Sequence, residues 1–156
     1  MTPKENQERL RQIAWTATFA TFFAGVAMYM PWMTSTSLVG PSPEGLDIGP
    51  NASTMTGAAT SLHLGAGTLP NWMVAAVCFA ATAMCWVRAM GVGKINPGIP
   101  TLLFLAGLLH TFLAGAAIAS AKWSSIGTGL GLALIATIIA SVSSAQVLLG
   151  PGEPKG

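Results

Sequence analysis

IPTLLFLAGLLHTFLAGAAIASA, residues 99–121, and SIGTGLGLALIATIIASVSSAQVLL, residues 125–149, contain no Asp, Glu, Lys or Arg, and only Lys122-Trp123-Ser124 separates them. A helix of about 20 predominantly apolar residues crosses the hydrocarbon core of a bilayer, and each stretch is long enough. So short a link makes the two an antiparallel hairpin. Toward the N-terminus lie two more charge-free stretches, Gln12–Pro43 and Ile48–Val87. Of the 156 residues, 8% are charged and 52% hydrophobic, and the mean hydropathy is +0.61. Water-soluble domains keep charge on their surfaces; this chain has little to keep there. The sequence predicts an all-α integral membrane protein, a four-transmembrane-helix antiparallel bundle with a long first extracytoplasmic loop. The whole chain, 1–156, reads as one membrane domain.

The expected spans are 13–33, 70–90, 99–121 and 125–149. The first, IAWTATFATFFAGVAMYMPWM, follows a polar lead-in, Lys4-Glu5-Asn6-Gln7-Glu8-Arg9, and Pro31 kinks or ends it. It is too long for a signal core and has no persuasive small-residue cleavage site, so it reads as a retained span. The outer loop, 34–69, is rich in Gly, Pro, Ser and Thr, with Pro41, Pro43, Gly45, Gly49, Pro50, Gly57, Gly65 and Gly67. Loops of this length are functional or disordered. Within it, Ala58–Leu64 reads as a short helix lying on the membrane, and Asn51-Ala52-Ser53 is a formal glycosylation sequon. Pro70 suits the first turn of the second span. Gly91 to Gly98 form the next turn, and Gly150-Pro151 ends the last helix.

Cation placement orients the chain. Lys4, Arg9, Arg11, Arg88, Lys94 and Lys155 fall on one side, and only Lys122 falls on the other, with the acids Glu44 and Asp47. Positive residues concentrate on the cytoplasmic side, so both termini are expected there. The aromatic residues give the same topology. Trp15 and Trp86 fall at inner span ends, and Tyr29, Trp32, Trp72 and Trp123 at or near outer ends. The Ala/Gly/Thr-rich, Lys-poor usage suggests a bacterium with a GC-rich genome, and hence the bacterial cytoplasmic membrane.

Small residues recur at every fourth position: Ala17, Thr21 and Gly25; Ala76 and Ala80; Gly107, Thr111, Gly115 and Ala119; Gly129, Ala133, Thr137, Ser141 and Ala145. Helices in lipid associate through close backbone approach and polar contacts, which such stripes permit. Leu102, Leu105, Leu109 and Phe112 on one helix, and Leu130, Leu134 and Ile138 on the other, are expected to face lipid or another subunit.

His110 is the most pointed candidate for chemistry, because an ionisable side chain inside a span is costly and usually functional. It suits an axial haem ligand, a quinone partner, a proton relay or a hydrogen bond to a neighbouring helix. The last is the expected role, since His63, the only other histidine, lies in the outer loop. Met28, Met30, Met33, Met55 and Met73 cluster near the outer side, and thioethers with an imidazole suit Cu(I). Cys78 and Cys85, seven residues apart in one span, are too distant for a disulfide and read as small buried hydrophobes. Without a cysteine, the outer loop lacks the disulfide staples of claudins and tetraspanins. No intramembrane carboxylate, Ser/His/Asp set, zinc spacing or phosphate-cradling loop is present.

The expected function is a non-catalytic accessory or structural subunit of a larger multi-subunit membrane complex, respiratory, transport or envelope-related. It would hold no cofactor of its own and bind no nucleic acid; its partners would be the lipid bilayer and other membrane subunits. The alternatives are a small redox or cofactor-binding protein using His110, with quinone or haem, and a small transporter or pore former. In the latter, Thr128, Thr137, Ser141, Ser143, Ser144 and Gln146 would line a path.

Overall fold

The computed structural model describes residues 2–37, 51–64, 67–121 and 124–149. It is mostly helical. Helix α1 spans Pro3–Tyr29, α2 Met73–Ala89, α3 Gly98–Ser120 and α4 Thr128–Leu149. Two of them, α3 and residues 128–148 of α4, are long and apolar enough to cross a membrane, and α2 is a shorter apolar helix. Five strands were not expected: β1 Pro31–Ser37, β2 Asn51–Thr56, β3 Ser61–Leu64, β4 Gly67–Pro70 and β5 Ser124–Ile126. The fold is therefore not all-α.

Local chemistry accounts for the helix ends. The Thr2 hydroxyl accepts from the Glu5 backbone N–H at 3.2 Å, and the Glu5 carboxylate accepts from the Thr2 N–H at 2.7 Å. This capping box, with Pro3 in the first turn, makes the polar lead-in and the apolar run one continuous helix. Pro31 has no N–H to continue it, so α1 stops at Tyr29 rather than at residue 33. Gly91 and Gly93, at φ of 71° and 96°, reverse the chain between α2 and α3 in a region that side chains disfavour. Pro70 closes β4 opposite Ser61 instead of opening α2, which begins at Met73.

The four helices pack in a closed ring, each on its chain neighbours and α1 on α4. Neighbours run antiparallel. Arg9 near the start of α1 donates to the Gln146 carbonyl near the end of α4, while Gly129 at the start of α4 lies against Ala27 and Met30 at the end of α1. Lys4, Arg9 and Arg11 consequently share one end of the ring with Arg88 and Lys94. Lys122, Trp123, Glu44, Asp47, Gly150, Pro151 and Lys155 lie outside the described residues.

The strands occupy the other end. β1 is central in an antiparallel sheet of order β2-β1-β5, with Met33 opposite both Met55 and Ile126. β3 and β4 form a hairpin with Leu62 opposite Leu69. The expected membrane-surface helix at Ala58–Leu64 is instead a single 3-10 turn, Gly57–Ala59, leading into β3. Threonine and serine runs such as PWMTSTS look like loop but suit a pleated strand when distant partners supply the ladder. Because Ser124–Ile126 joins that ladder, the fourth helix begins at Thr128, not 125.

Inside the ring most side chains are small, with Phe104, Leu130 and Val74 the larger ones wholly enclosed. Ala14, Ala17, Ala20, Ala24 and Ala27 line α1, and Ala133, Ala136 and Ala140 line α4, all buried. Gly107, Thr111 and Gly115 are buried on α3, as are Thr137 and Ser141 on α4. A Cβ at Gly107 would meet Cys78 and Thr137, and one at Gly115 would lie 3.1 Å from Leu130 Cδ2. Three expectations fail here. Ala76 and Ala80 face outward, the buried face of α2 being Val74, Cys78, Ala81, Thr82, Cys85 and Ala89; Ala119 is exposed; and Leu130 is wholly buried, filling the space that Gly115 leaves.

Trp32 joins the strand end to the helices. It was expected at an interfacial belt but is completely buried. Its indole Nε1 donates to the Ala27 carbonyl at 2.8 Å, an acceptor near the end of α1, where intrahelical donors run out. Its own carbonyl accepts from Gly127 N at 2.8 Å, and Gly57 lies flat against the ring. A Cβ at Gly57 would come within 2.5 Å of Trp32 Cε2. Gly57→Ala is therefore expected to destabilise by about 1–3 kcal/mol through overpacking. Gly25→Ala, where nothing lies within 4 Å of the added Cβ, should be neutral or stabilising by up to ~1 kcal/mol, since alanine favours a helix interior. Unfolding of the two purified variants beside the parent checks the sign of each.

Candidate functional site

The most connected polar group begins at Thr60, just after the 3-10 turn. Its hydroxyl proton faces two carbonyls, Thr56 O at 3.1 Å and Gly57 O at 3.2 Å. A hydroxyl has one proton, so toward Asn71 it offers only lone pairs. Asn71 Nδ2 donates to Thr60 Oγ1 at 2.8 Å, and Asn71 N donates to Thr60 O at 3.1 Å. That direction fixes the amide. Its Oδ1 then faces His110 Nε2, 2.8 Å away.

An amide oxygen only accepts, so His110 Nε2 carries the proton and donates. In the neutral ring Nδ1 is left as a bare acceptor. Asn71 is almost fully buried, between β4 and α2, while His110 lies near the middle of α3 and is partly exposed. The network ties the 3-10 turn to α3 through the start of α2. His110 was expected to bond to a neighbouring helix; its partner, Asn71, lies instead in the turn just before α2.

Two cavities flank this pair. One, of about 490 Å³, lies under the strands and is lined by Met33, Met55, Thr60, Leu62, Asn71 and Ile118 among others. The second, of about 290 Å³, is a groove between α2 and α3, walled by Leu62, Met73, Val74, Val77, Leu109 and His110 among others. Leu62 contributes to both.

The other expected candidates fall as follows. Met33 and Met55 meet on the first cavity, Met73 lines the second, and Met28 is buried in the helix core, so the thioethers do not converge. Among the described residues no group of three or more His, Cys, Asp or Glu is placed to hold a metal ion. His63 sits in β3 opposite Thr68, and its side chain falls outside the described residues. Cys78 and Cys85 are free and buried in the core. In α4 the hydroxyls of Thr137, Ser141 and Ser144 donate to carbonyls of their own helix, at 2.8, 2.7 and 3.0 Å. They turn inward but bond along the helix, which leaves them no free donor for a solute. Between α1 and α2, Thr21 and Thr82 share a 2.7 Å bond, and Trp86 Nε1 donates to Thr18 Oγ1 at 2.9 Å with its ring edge-on to Trp15.

Sequence reasoning missed Asn71 and Thr60. The available signal was an asparagine directly after Pro70 and before an apolar run, but the same signal marks any turn. No family model matches the chain, and no curated protein or solved structure matches it.

Removing the amide leaves the Thr60 hydroxyl and the imidazole N–H without their partner. Asn71→Ala is expected to cost about 1–3 kcal/mol of stability. In a double-mutant cycle with His110→Ala, the paired loss should fall short of the sum of the single losses by at least ~0.5 kcal/mol. Additive losses would show that the two side chains do not interact.

Proposed function

We propose that this chain is a four-span protein of a bacterial cytoplasmic membrane, with both termini cytoplasmic, acting as a non-catalytic accessory subunit of a larger membrane complex. The observation that carries this reading is the radial order of its side chains. Phe19 and Phe22 of α1, Phe79 of α2, Leu102, Leu109 and Phe112 of α3, and Ile135, Ile138 and Val142 of α4 are all exposed, between 47% and 70%. The interior is mostly alanine, glycine, threonine and serine, with Trp32, Phe104, Leu130 and Val74 the largest side chains enclosed among the described residues. Water would drive the opposite arrangement, and soluble monomers rarely expose a contiguous apolar patch beyond a few hundred Å². Lipid tails remove that drive and favour small residues where helices touch.

Only 33% of the apolar window in α3 and 39% of that in α4 is buried, which is little cover for a core helix of a soluble domain. α2, at 17 residues, is about 26 Å long, near the lower bound for a span. The cations grouped at the end opposite the strands support the orientation.

An accessory role is favoured over transport or catalysis because the interior polar groups bond to one another. None of the described buried side-chain nitrogens or oxygens lacks a partner. What remains for recognition is the apolar perimeter and the strand end. Extraction of native membranes in mild detergent, followed by native electrophoresis and mass spectrometry, is expected to find the chain in an assembly with other membrane proteins. A monodisperse, partner-free species would refute the accessory role while leaving the bilayer placement intact.

A further inference from the structure

The geometry points to a binding site for a hydroxyl-bearing lipid in the groove between α2 and α3, its hydroxyl donating to His110 Nδ1 and its hydrocarbon lying on Val74, Val77, Leu109 and Leu113. From its fixed end, the Thr60 proton faces two carbonyls, Thr60 Oγ1 accepts from Asn71 Nδ2, and Asn71 Oδ1 accepts from His110 Nε2. Each link admits one direction, and the last leaves Nδ1 as a lone pair. No hydrogen bond to Nδ1 is present among the described residues, and no described buried side-chain nitrogen or oxygen is unpartnered, so Nδ1 is open rather than sealed.

His110 lines the groove of about 290 Å³, whose other walls are Leu62, Leu69, Met73, Val74, Val77, Ala106, Gly107, Leu109 and Leu113. That volume lies at the small end of ligand pockets, which run from about 300 to 1,000 Å³. Every other wall residue is apolar or glycine, so the only side-chain nitrogens on the groove are those of His110, and Nε2 is already engaged by Asn71. An anion would find no donor there, and a ketone, ester or ether would place its oxygen against a lone pair. A ligand with an O–H at the end of an apolar body satisfies both parts. Long-chain alcohols and quinols share that chemistry; oxidised quinones do not.

The inference rests on the bilayer placement proposed above. The two fail separately, because the test uses full-length protein already purified in detergent and reads ligand preference alone. The probe is hexadecanol carrying a photoreactive diazirine in its chain, with labelled peptides located by mass spectrometry. Labelling is expected within residues 73–77 and 106–113. Unlabelled hexadecanol should compete roughly two- to tenfold better than hexadecyl methyl ether, the difference one hydrogen bond supplies. A decyl benzoquinol that outcompetes hexadecanol would assign the natural source to quinols; parity or the reverse would assign it to lipid alcohols. His110→Phe should abolish the preference for alcohol over ether. Val77→Trp, which fills the groove from α2 and leaves the His110 and Asn71 side chains unchanged in identity, should abolish labelling and guards against a misfolded His110 variant. Equal competition by the alcohol and the ether, or a preference that survives in His110→Phe, would overturn the site.

Discussion

Close approach of four helices is the constraint on which the rest of this structure depends. Alanine on α1 and α4, and glycine on α3, let the backbones come near enough to leave little room for larger side chains between them. Most phenylalanine, leucine and isoleucine side chains are therefore displaced to the perimeter, with Phe104 and Leu130 wholly buried exceptions. In water that exchange would lose most of the hydrophobic drive to fold, because the largest apolar surfaces stay hydrated. In lipid they are solvated as well outside as in, and packing and hydrogen bonding hold the helices together instead. The threonine pair between α1 and α2 and the back-bonded hydroxyls of α3 and α4 suit that regime. They add polar contacts at helix interfaces without leaving a donor unmet.

The strand end follows from the same constraint. Where α1 stops, just before Pro31, the chain leaves a helix whose inner face is lined by small side chains and needs something large to close the ring. Trp32 supplies the volume, and its indole N–H meets a carbonyl near the end of the helix. Glycine at 57, 127 and 129 then lets two other segments approach: the 3-10 turn against the indole, and the start of α4 against Pro31 and Met30. From that turn Thr60 reaches Asn71, and Asn71 reaches His110, so strand packing and helix packing meet in one hydrogen-bonded chain.

Much of this was legible in the sequence. Long apolar runs without charge located all four helices to within a few residues, except that α1 begins ten residues earlier than the apolar run, at Pro3. The small residues Gly107, Thr111, Gly115, Ala133 and Thr137 were read as an inner face, and they are one. Ala76 and Ala80 were read the same way but face outward, because Cys78 and Thr82 occupy the inner face of α2. The strands were illegible for a different reason. Pairing of Met33 with Met55 and with Ile126 joins segments remote in sequence, and a Ser/Thr-rich run looks alike as loop or strand until its partner is known. Trp32 was misread because tryptophan near a span end fits an interfacial belt equally well. His110 stood out by its charge type alone, whereas Asn71, which determines what His110 offers a ligand, did not.

The account stands on hydrocarbon surrounding the helix perimeter. Nitroxide labels placed singly at Phe22, Phe79, Leu109 and Ile138, in a background with Cys78 and Cys85 replaced by alanine, test this after reconstitution into bilayers. Power-saturation electron paramagnetic resonance should find all four labels accessible to oxygen, which concentrates in lipid, and shielded from a water-soluble nickel chelate. Ready collision with the chelate at all four positions would contradict the account, because the faces assigned to lipid would then be in water.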